Sequence, residues 1–445
     1  MLRKLSVFLC LFLLITISVY SDGTNNTQTV VSLPGQIQKN NNVVFSSDGQ
    51  YGFVAAYRRP DGSNNNEVYS FSTNSGLIVD RKEVAFAPTT VAMDNSNTMV
   101  VVGSAATDIP TAQIHILKTD LDGRFSPDSY VASVPLPASS FGDWIPSQIA
   151  VSNLGYAIFS NKASLYVITI QNTFNGIAGE TTSITEVVSQ ETYSNSNRLI
   201  NIDFDKNSNT LVTIWRKSNE NYSLLLHKLT SDGKLLPIST TPNNPTANEV
   251  VLPPGEIIAR GSNVAFNSNA TEIYFVSSST GMIYSYPIYG GGGLIEKARY
   301  QLFADGAIQS ALTSPRNIVF RNVQLSTGFQ PTLYISRPLG ISRPLGVKPN
   351  AIVTIEASDA SLISAKIFDE QEDTMNTTIN EAGTVAYIAM SKGTFYRFDT
   401  LSGETSAAQN FSNTLLKVYL QERNGLLALT GIQDSVGTVN LMRID

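Results

Sequence analysis

The chain has 445 residues and a single cysteine, Cys10, which stands inside an apolar stretch at the start. A mature protein lacking that stretch has no disulfide, no thiol nucleophile and no thiolate-bound metal. Histidine is almost as scarce, with only His115 and His227. So few imidazoles leave little from which to build a transition-metal site, and no cofactor is expected. Charged residues make up 15% of the chain and the formal net charge is -6, which argues against a nucleic-acid partner because phosphate binding needs clustered Lys and Arg. No Gly-x-Ser-x-Gly nucleophile elbow occurs, and no phosphate-cradling glycine loop precedes a helical pattern. Past the first residues, no run reaches the roughly 20 apolar residues of a spanning helix.

The clearest local signal lies at the N-terminus. Arg3 and Lys4 precede an apolar run from Leu5 to Val19, and Val19 and Ser21 are small enough to flank a cleavage site before Asp22. The sequence therefore predicts a signal peptide over 1–21, one mature domain over 22–445, and a secreted product that is extracellular, at a cell surface or periplasmic. Phe8 and Leu9 before Cys10 do not resemble a lipoprotein box. An exported fold without disulfides must rest on a large core, and 42% hydrophobic residues supply one.

A degenerate repeat organises the mature chain. A polar turn recurs as Ser46-Ser47-Asp48-Gly49, Asp94-Asn95-Ser96-Asn97, Ser152-Asn153-Leu154-Gly155, Asp205 to Asn209, Asn267-Ser268-Asn269, Asn380-Glu381-Ala382-Gly383 and Glu422-Arg423-Asn424-Gly425. Asn, Asp and Gly suit such turns because they tolerate positive φ or cap their own backbone. A β-rich run follows each, as in Tyr51 to Tyr57, Thr210 to Trp215 and Thr384 to Ala389. A third strand with its exit turn recurs as Val68 to Gly76, Ile114 to Gly123, Leu224 to Gly233 and Thr394 to Gly403. Alternation of period two says strand, and no helical periodicity persists beyond two turns. First strands begin near Val43, Thr90, Gln148, Leu199, Asn263, Asn317, Thr377 and Lys417. The expected fold is all-β: a single β-propeller of seven or eight four-stranded blades. The last unit ends after three strands while Thr29 to Leu33 stands unpaired, so the N-terminal strand is expected to close the ring.

In repeat style, Ser47-Asp48-Gly49-Gln50-Tyr51-Gly52-Phe53-Val54 and Ala382-Gly383-Thr384-Val385-Ala386-Tyr387-Ile388-Ala389 resemble the secreted lactonase-like (YVTN-type) β-propeller superfamily, over roughly residues 29 to 445. Enzymes of that group use His, Glu and Arg residues on one face. Those positions have no match here, so the activity does not carry over with the resemblance.

Several features invite a chemical reading beside a plainer one. His115 and His227 fall in third-strand runs of different units, where packing explains them better than a shared site. Asp203-Phe204-Asp205-Lys206-Asn207-Ser208-Asn209 spaces oxygens like a calcium loop, but lacks the central glycine and closing glutamate and coincides with the recurring turn. Asp120-Leu121-Asp122-Gly123 is weaker still. Gly290 to Gly293 suit a flexible connection, and Ile335-Ser336-Arg337-Pro338-Leu339-Gly340, repeated at Ile341 to Gly346, suits an extended surface loop because proline blocks ladder pairing. Sequons stand at Asn25, Asn221, Asn269, Asn376 and Asn410, about as many as this Asn-, Ser- and Thr-rich composition produces by chance.

Basic residues gather just after the second strands: Arg58, Arg59, Lys162, Arg216, Lys217, Arg337 and Lys392. In a propeller these positions share one face, where a broken positive ring would attract an anionic partner. The expected function is a non-catalytic exported binder of a protein or glycan through loops on one face. The alternative is a lactonase-like hydrolase with its site at the mouth of the central channel. Whether the chain is an enzyme is left open by the sequence, with the balance against it.

Overall fold

The computed structural model describes residues 28–37, 43–58, 64–84, 87–94, 97–104, 111–135, 149–160, 164–170, 187–192, 198–217, 219–240, 248–258, 264–288, 295–298, 317–336, 351–368, 375–406, 408–412 and 414–444. They form eight antiparallel sheets, each built on a run of four neighbouring strands. Seven sheets are sequential. Blade 1, for example, runs Val43–Phe45, Tyr51–Arg58, Asn64–Ser72 and Ile78–Glu83 from the inside outward. Below, the strands of a blade are a, b, c and d in that order. The a strands of blades 2 to 7 are Ala87–Met93, Ile149–Val151, Arg198–Asp205, Val264–Phe266, Asn317–Leu325 and Met375–Ile379.

Blade 8 is composite. Thr414–Gln421, Leu426–Gln433 and Val436–Arg443 are its a, b and c strands, and Gln28–Ser32 is its d strand. The N-terminal strand pairs antiparallel with the C-terminal one from Gln28 opposite Met442 to Ser32 opposite Thr438. Leu33 and Gly437 extend the seam, with Leu33 N donating to Gly437 O and Gly437 N donating to Gly35 O, both at 2.9 Å.

One apolar cluster fills each gap between successive blades, so every sheet has two neighbours. Phe53 and Val101 meet between blades 1 and 2, Ile114 and Val151 between 2 and 3, and Ile158 and Leu211 between 3 and 4. Val212 packs with Phe275, Val276 with Leu333, Val323 with Ile388, and Val385 with Leu427 around the following gaps. Val54 and Leu441 join blade 8 to blade 1. A sheet covered on both faces needs continuous rather than alternating apolarity in its middle strands. The b strand Val385–Met390 is buried throughout, whereas the d strand Ile78–Glu83 is only half covered. Closure leaves no open end to the array.

The recurring polar turn joins a to b, and its first residue caps it. Ser46 Oγ accepts from Tyr51 N at 3.0 Å, Asn267 Oδ1 from Glu272 N at 3.0 Å, and Asn380 Oδ1 from Val385 N at 3.0 Å. The one helical piece among the described residues is a 3-10 turn, Glu422–Asn424, inside the a–b turn of blade 8. One expectation needs trimming: Ile335 and Ser336 end the c-ward b strand Gly328–Ser336 and are buried, so only the rest of the duplicated segment, which lies outside the described residues, remains for a loop. Gly290 to Gly293 also lie outside them.

Candidate functional site

Because every blade is traversed in the same order, a–b and c–d turns share one face of the disc, and b–c turns share the other with the connections between blades. The two faces are built differently. On the a–b face, the turns bind their neighbours. Ser47 N donates to Asn97 Oδ1 at 2.7 Å, Asn322 Nδ2 to Ser268 Oγ at 2.8 Å, and Arg321 Nε to Asn380 O at 3.2 Å. Glu381 N donates to the Glu422 carboxylate, and Asn424 Nδ2 to Asp48 O at 2.9 Å. This face is also acidic, with Asp48, Asp120, Asp122, Asp232, Asp359 and Asp399 in its turns. Those carboxylates hold local backbone: Asp399 Oδ1 accepts from Leu401 N and Ser402 N at 3.0 and 2.8 Å, which keeps its pKa below the usual carboxylate value.

The b–c face receives the basic candidates. Arg58 is the last residue of its b strand, Arg216 ends the b strand Thr210–Arg216 with Lys217 next, and Lys392 follows Val385–Met390 and is exposed. Arg216 pairs with Glu220 at 2.7 Å and Lys217 with Glu249 at 2.8 Å, so two of the cations already have acidic neighbours. Arg59, Lys162 and Arg337 lie outside the described residues.

The channel wall is made by the a strands. Among the described residues these strands hold no histidine, and their only carboxylates are Asp203 and Asp205. Asp203 occupies a position where other blades place Val44, Ala92, Ala150 and Ala265, and it stands opposite Val212 of the adjacent b strand. Burial raises its pKa to about 7; the Phe204 N–H at 2.9 Å opposes that rise and the Asp205 charge adds to it. The calcium-like run is a capped turn: Asp205 Oδ2 accepts from Ser208 N at 2.6 Å, and the Lys228 ammonium donates to Ser208 O. No three His, Cys, Asp or Glu residues come together as a metal site among the described residues.

Sequence reasoning missed a polar tier at the b–c end of this wall. Thr90, Asn201, Asn317, Asn376 and Lys417 stand opposite Val102, Ile214, Ser336, Ala389 and Thr430, at equivalent places in five blades. Asn376 Oδ1 accepts from Val418 N of the next a strand at 3.0 Å, and Asn317 Nδ2 donates to Ser336 Oγ at 3.2 Å. Lys417 replaces the amide in blade 8, its ammonium 5.4 Å from the Tyr419 ring centre and its pKa lowered by burial to about 8. β-bulges stand beside Thr90, Asn201 and Lys417 on the side away from the a–b turn, and Thr90, Asn201 and Asn376 each lie four residues before the residue that opens that turn, Asp94, Asp205 and Asn380. The histidines sit in c strands and are buried; His227 Nε2 lies 3.0 Å from Asn248 Nδ2.

No protein-family model matches the chain, and no curated protein matches it in sequence. Solved structures do match. BamB from Moraxella catarrhalis is 11% identical, with a TM-score of 0.54 over 97% of this chain and 98% of that one. The computationally designed Ika8 protein is 10% identical, with a TM-score of 0.55 over 93% and 98%. The dihydro-heme d1 dehydrogenase NirN, in complex with DHE, is 13% identical, with a TM-score of 0.53 over 84% of this chain and 66% of that one. The likeness is one of fold.

Proposed function

We propose that the chain is exported, loses residues 1–21, and acts as a non-catalytic binding propeller whose b–c face engages a protein or glycan partner of anionic character. The observation that carries this reading is the asymmetry of the faces. On one, acidic turns are tied to each other and to their own backbone; the other bears Arg58, Arg216, Lys217 and Lys392 at b-strand ends. Arg58 and Lys392 at these b-strand ends, with Arg216 and Lys217 beside their Glu220 and Glu249 partners, supply the cations that would meet an anionic partner on the b–c side. Arg59, Lys162 and Arg337 belong to the same set by their place in the sequence.

The test is a pull-down with the mature protein, followed by R58E/R216E/R337E. Capture that weakens severalfold and loses its salt dependence supports the reading. Unchanged capture with unchanged salt dependence contradicts it.

Asp203 favours a second reading, a lactonase-like hydrolase at the channel. A carboxyl group with a pKa near neutrality suits proton transfer at working pH. Lactone hydrolysis by the mature protein that D203N abolishes would establish it.

A further inference from the structure

We propose that Asn269 and Asn410 carry N-linked glycans and that Asn376 does not. The inference rests on the export reading above and adds a modification that reading does not require. The sequence offers five sequons without ranking them; the fold separates the three that are decisive.

Asn269, in Asn269-Ala270-Thr271, is exposed in the a–b turn of blade 5. Its Oδ1 accepts from the hydroxyl of its own sequon threonine, Thr271 Oγ1, at 3.0 Å. Asn410, in Asn410-Phe411-Ser412, is exposed on the d strand of blade 7. That strand is only Gln409–Asn410, the shortest described, and it leaves the c strand Thr394–Asp399 thinly covered. A thinly covered edge invites pairing with another chain, and a bulky hydrated group there blocks it.

Asn376, in Asn376-Thr377-Thr378, has the opposite surroundings. It lies on the a strand of blade 7, half-buried, with its carboxamide bonded to Val418 N of blade 8 at 3.0 Å. A sugar on that nitrogen has no room between two adjacent a strands and breaks the contact of blades 7 and 8. Asn221 is half-buried in the b–c turn of blade 4, and Asn25 lies outside the described residues.

The step needs a lipid-pyrophosphate-linked oligosaccharide as co-reactant. The Asn Nδ2 forms a bond to the anomeric carbon, the bond from that carbon to the pyrophosphate oxygen breaks, and the amide proton leaves as the lipid pyrophosphate departs. Asn269 is on the a–b face and its glycan leaves the b–c face clear, whereas Asn410 stands opposite Thr394 at the b–c end of the outer edge, beside the turn that carries Lys392, so its glycan borders the proposed partner surface.

The full chain is produced in a eukaryotic secretory host, alongside residues 22–445 behind the host's own leader. Secreted monomer is treated with peptide N-glycosidase in 18O water, which hydrolyses the glycosyl-asparagine amide and marks each formerly glycosylated Asn as labelled Asp, and is mapped by mass spectrometry. Label at 269 and 410 with none at 376 is expected, and N269Q and N410Q each remove one glycan without lowering yield. Secreted monomer unlabelled at both sites, or labelled at 376, overturns the proposal. Retention of the native-leader version while the other is secreted and labelled sinks the export reading and leaves the acceptor assignment standing.

Discussion

Asn424 and Asp48 are 376 residues apart, yet the Asn424 side-chain amide donates to the Asp48 carbonyl at 2.9 Å across the gap between the last blade and the first. The Arg423 guanidinium reaches Ser47 O at 2.9 Å beside it. The close approach depends on Gly49. Its φ is +70°, and a Cβ there would stand 2.3 Å from Asn424 Nδ2. Gly49→Ala therefore meets both backbone strain and a clash, at a cost of about 1–3 kcal/mol. Urea denaturation measures it, and N424A should cost about 1–2 kcal/mol by leaving the carbonyl unbonded.

Asn376 ties two a strands together through Val418 N. Replacing it with alanine leaves a half-buried N–H without its acceptor and should destabilise the protein by about 1–3 kcal/mol. Thr378→Ala, which removes the sequon but keeps the amide, is expected to be milder. Thermal melts of the two variants separate the structural role from any effect of a glycan.

Acid sensitivity has a named source in His115. Burial, with the Lys82 charge adding, holds its folded pKa at about 4, against the ordinary 6.5 of an imidazole in water. Below 6.5 the unfolded chain takes a proton that the folded chain refuses, so this contribution to stability is complete above pH 6.5 and is lost as pH falls toward 4. H115Q is expected to flatten the fall in denaturation midpoint across that window. An unchanged pH profile would contradict the assignment.

Asp203 works in the opposite direction. Its folded pKa of about 7 lies above the ordinary carboxyl value of 3.8, so the unfolded chain ionises first and stability is lost as pH rises from 3.8 to about 7. D203N removes that loss. The variant should melt a few degrees above the wild type at pH 8 and show less advantage near pH 4, provided the amide finds partners among the same atoms.

Much of this architecture is written in local chemistry. The residues that open the polar turns, Ser46, Ser152, Asp205, Asn267 and Asn380, are the ones whose side chains cap those turns, so pattern and mechanism coincide. The unpaired run near Thr29 was legible as the missing strand because the last unit stopped short. The polar tier was not. Thr90, Asn201 and Asn376 share a spacing of four residues before the turn-opening Asp94, Asp205 and Asn380, but Asn317 and Lys417 break that count because the blade 6 hairpin is longer and blade 8 carries a 3-10 turn. Asp203 stands out in the sequence for its spacing to Asp205 and Asn207, whereas its distinguishing property is a burial that only the folded sheet creates. The basic set was legible as a shared face, but the partners of Arg216 and Lys217 were not, since Glu249 reaches Lys217 from a d-side strand, Glu249–Val251.

The ring and its closure by the N-terminal strand underlie every other argument, and one cross-link tests them directly. Val30 stands opposite Asn440 in the shared sheet, and residues 22–445 contain no cysteine of their own. Val30→Cys with Asn440→Cys should form an intramolecular disulfide in air, seen by peptide mapping as a link between residues 30 and 440 in monomeric protein, with a higher denaturation midpoint when oxidised. Two free thiols in folded monomer, or links only between separate chains, would contradict the closed ring.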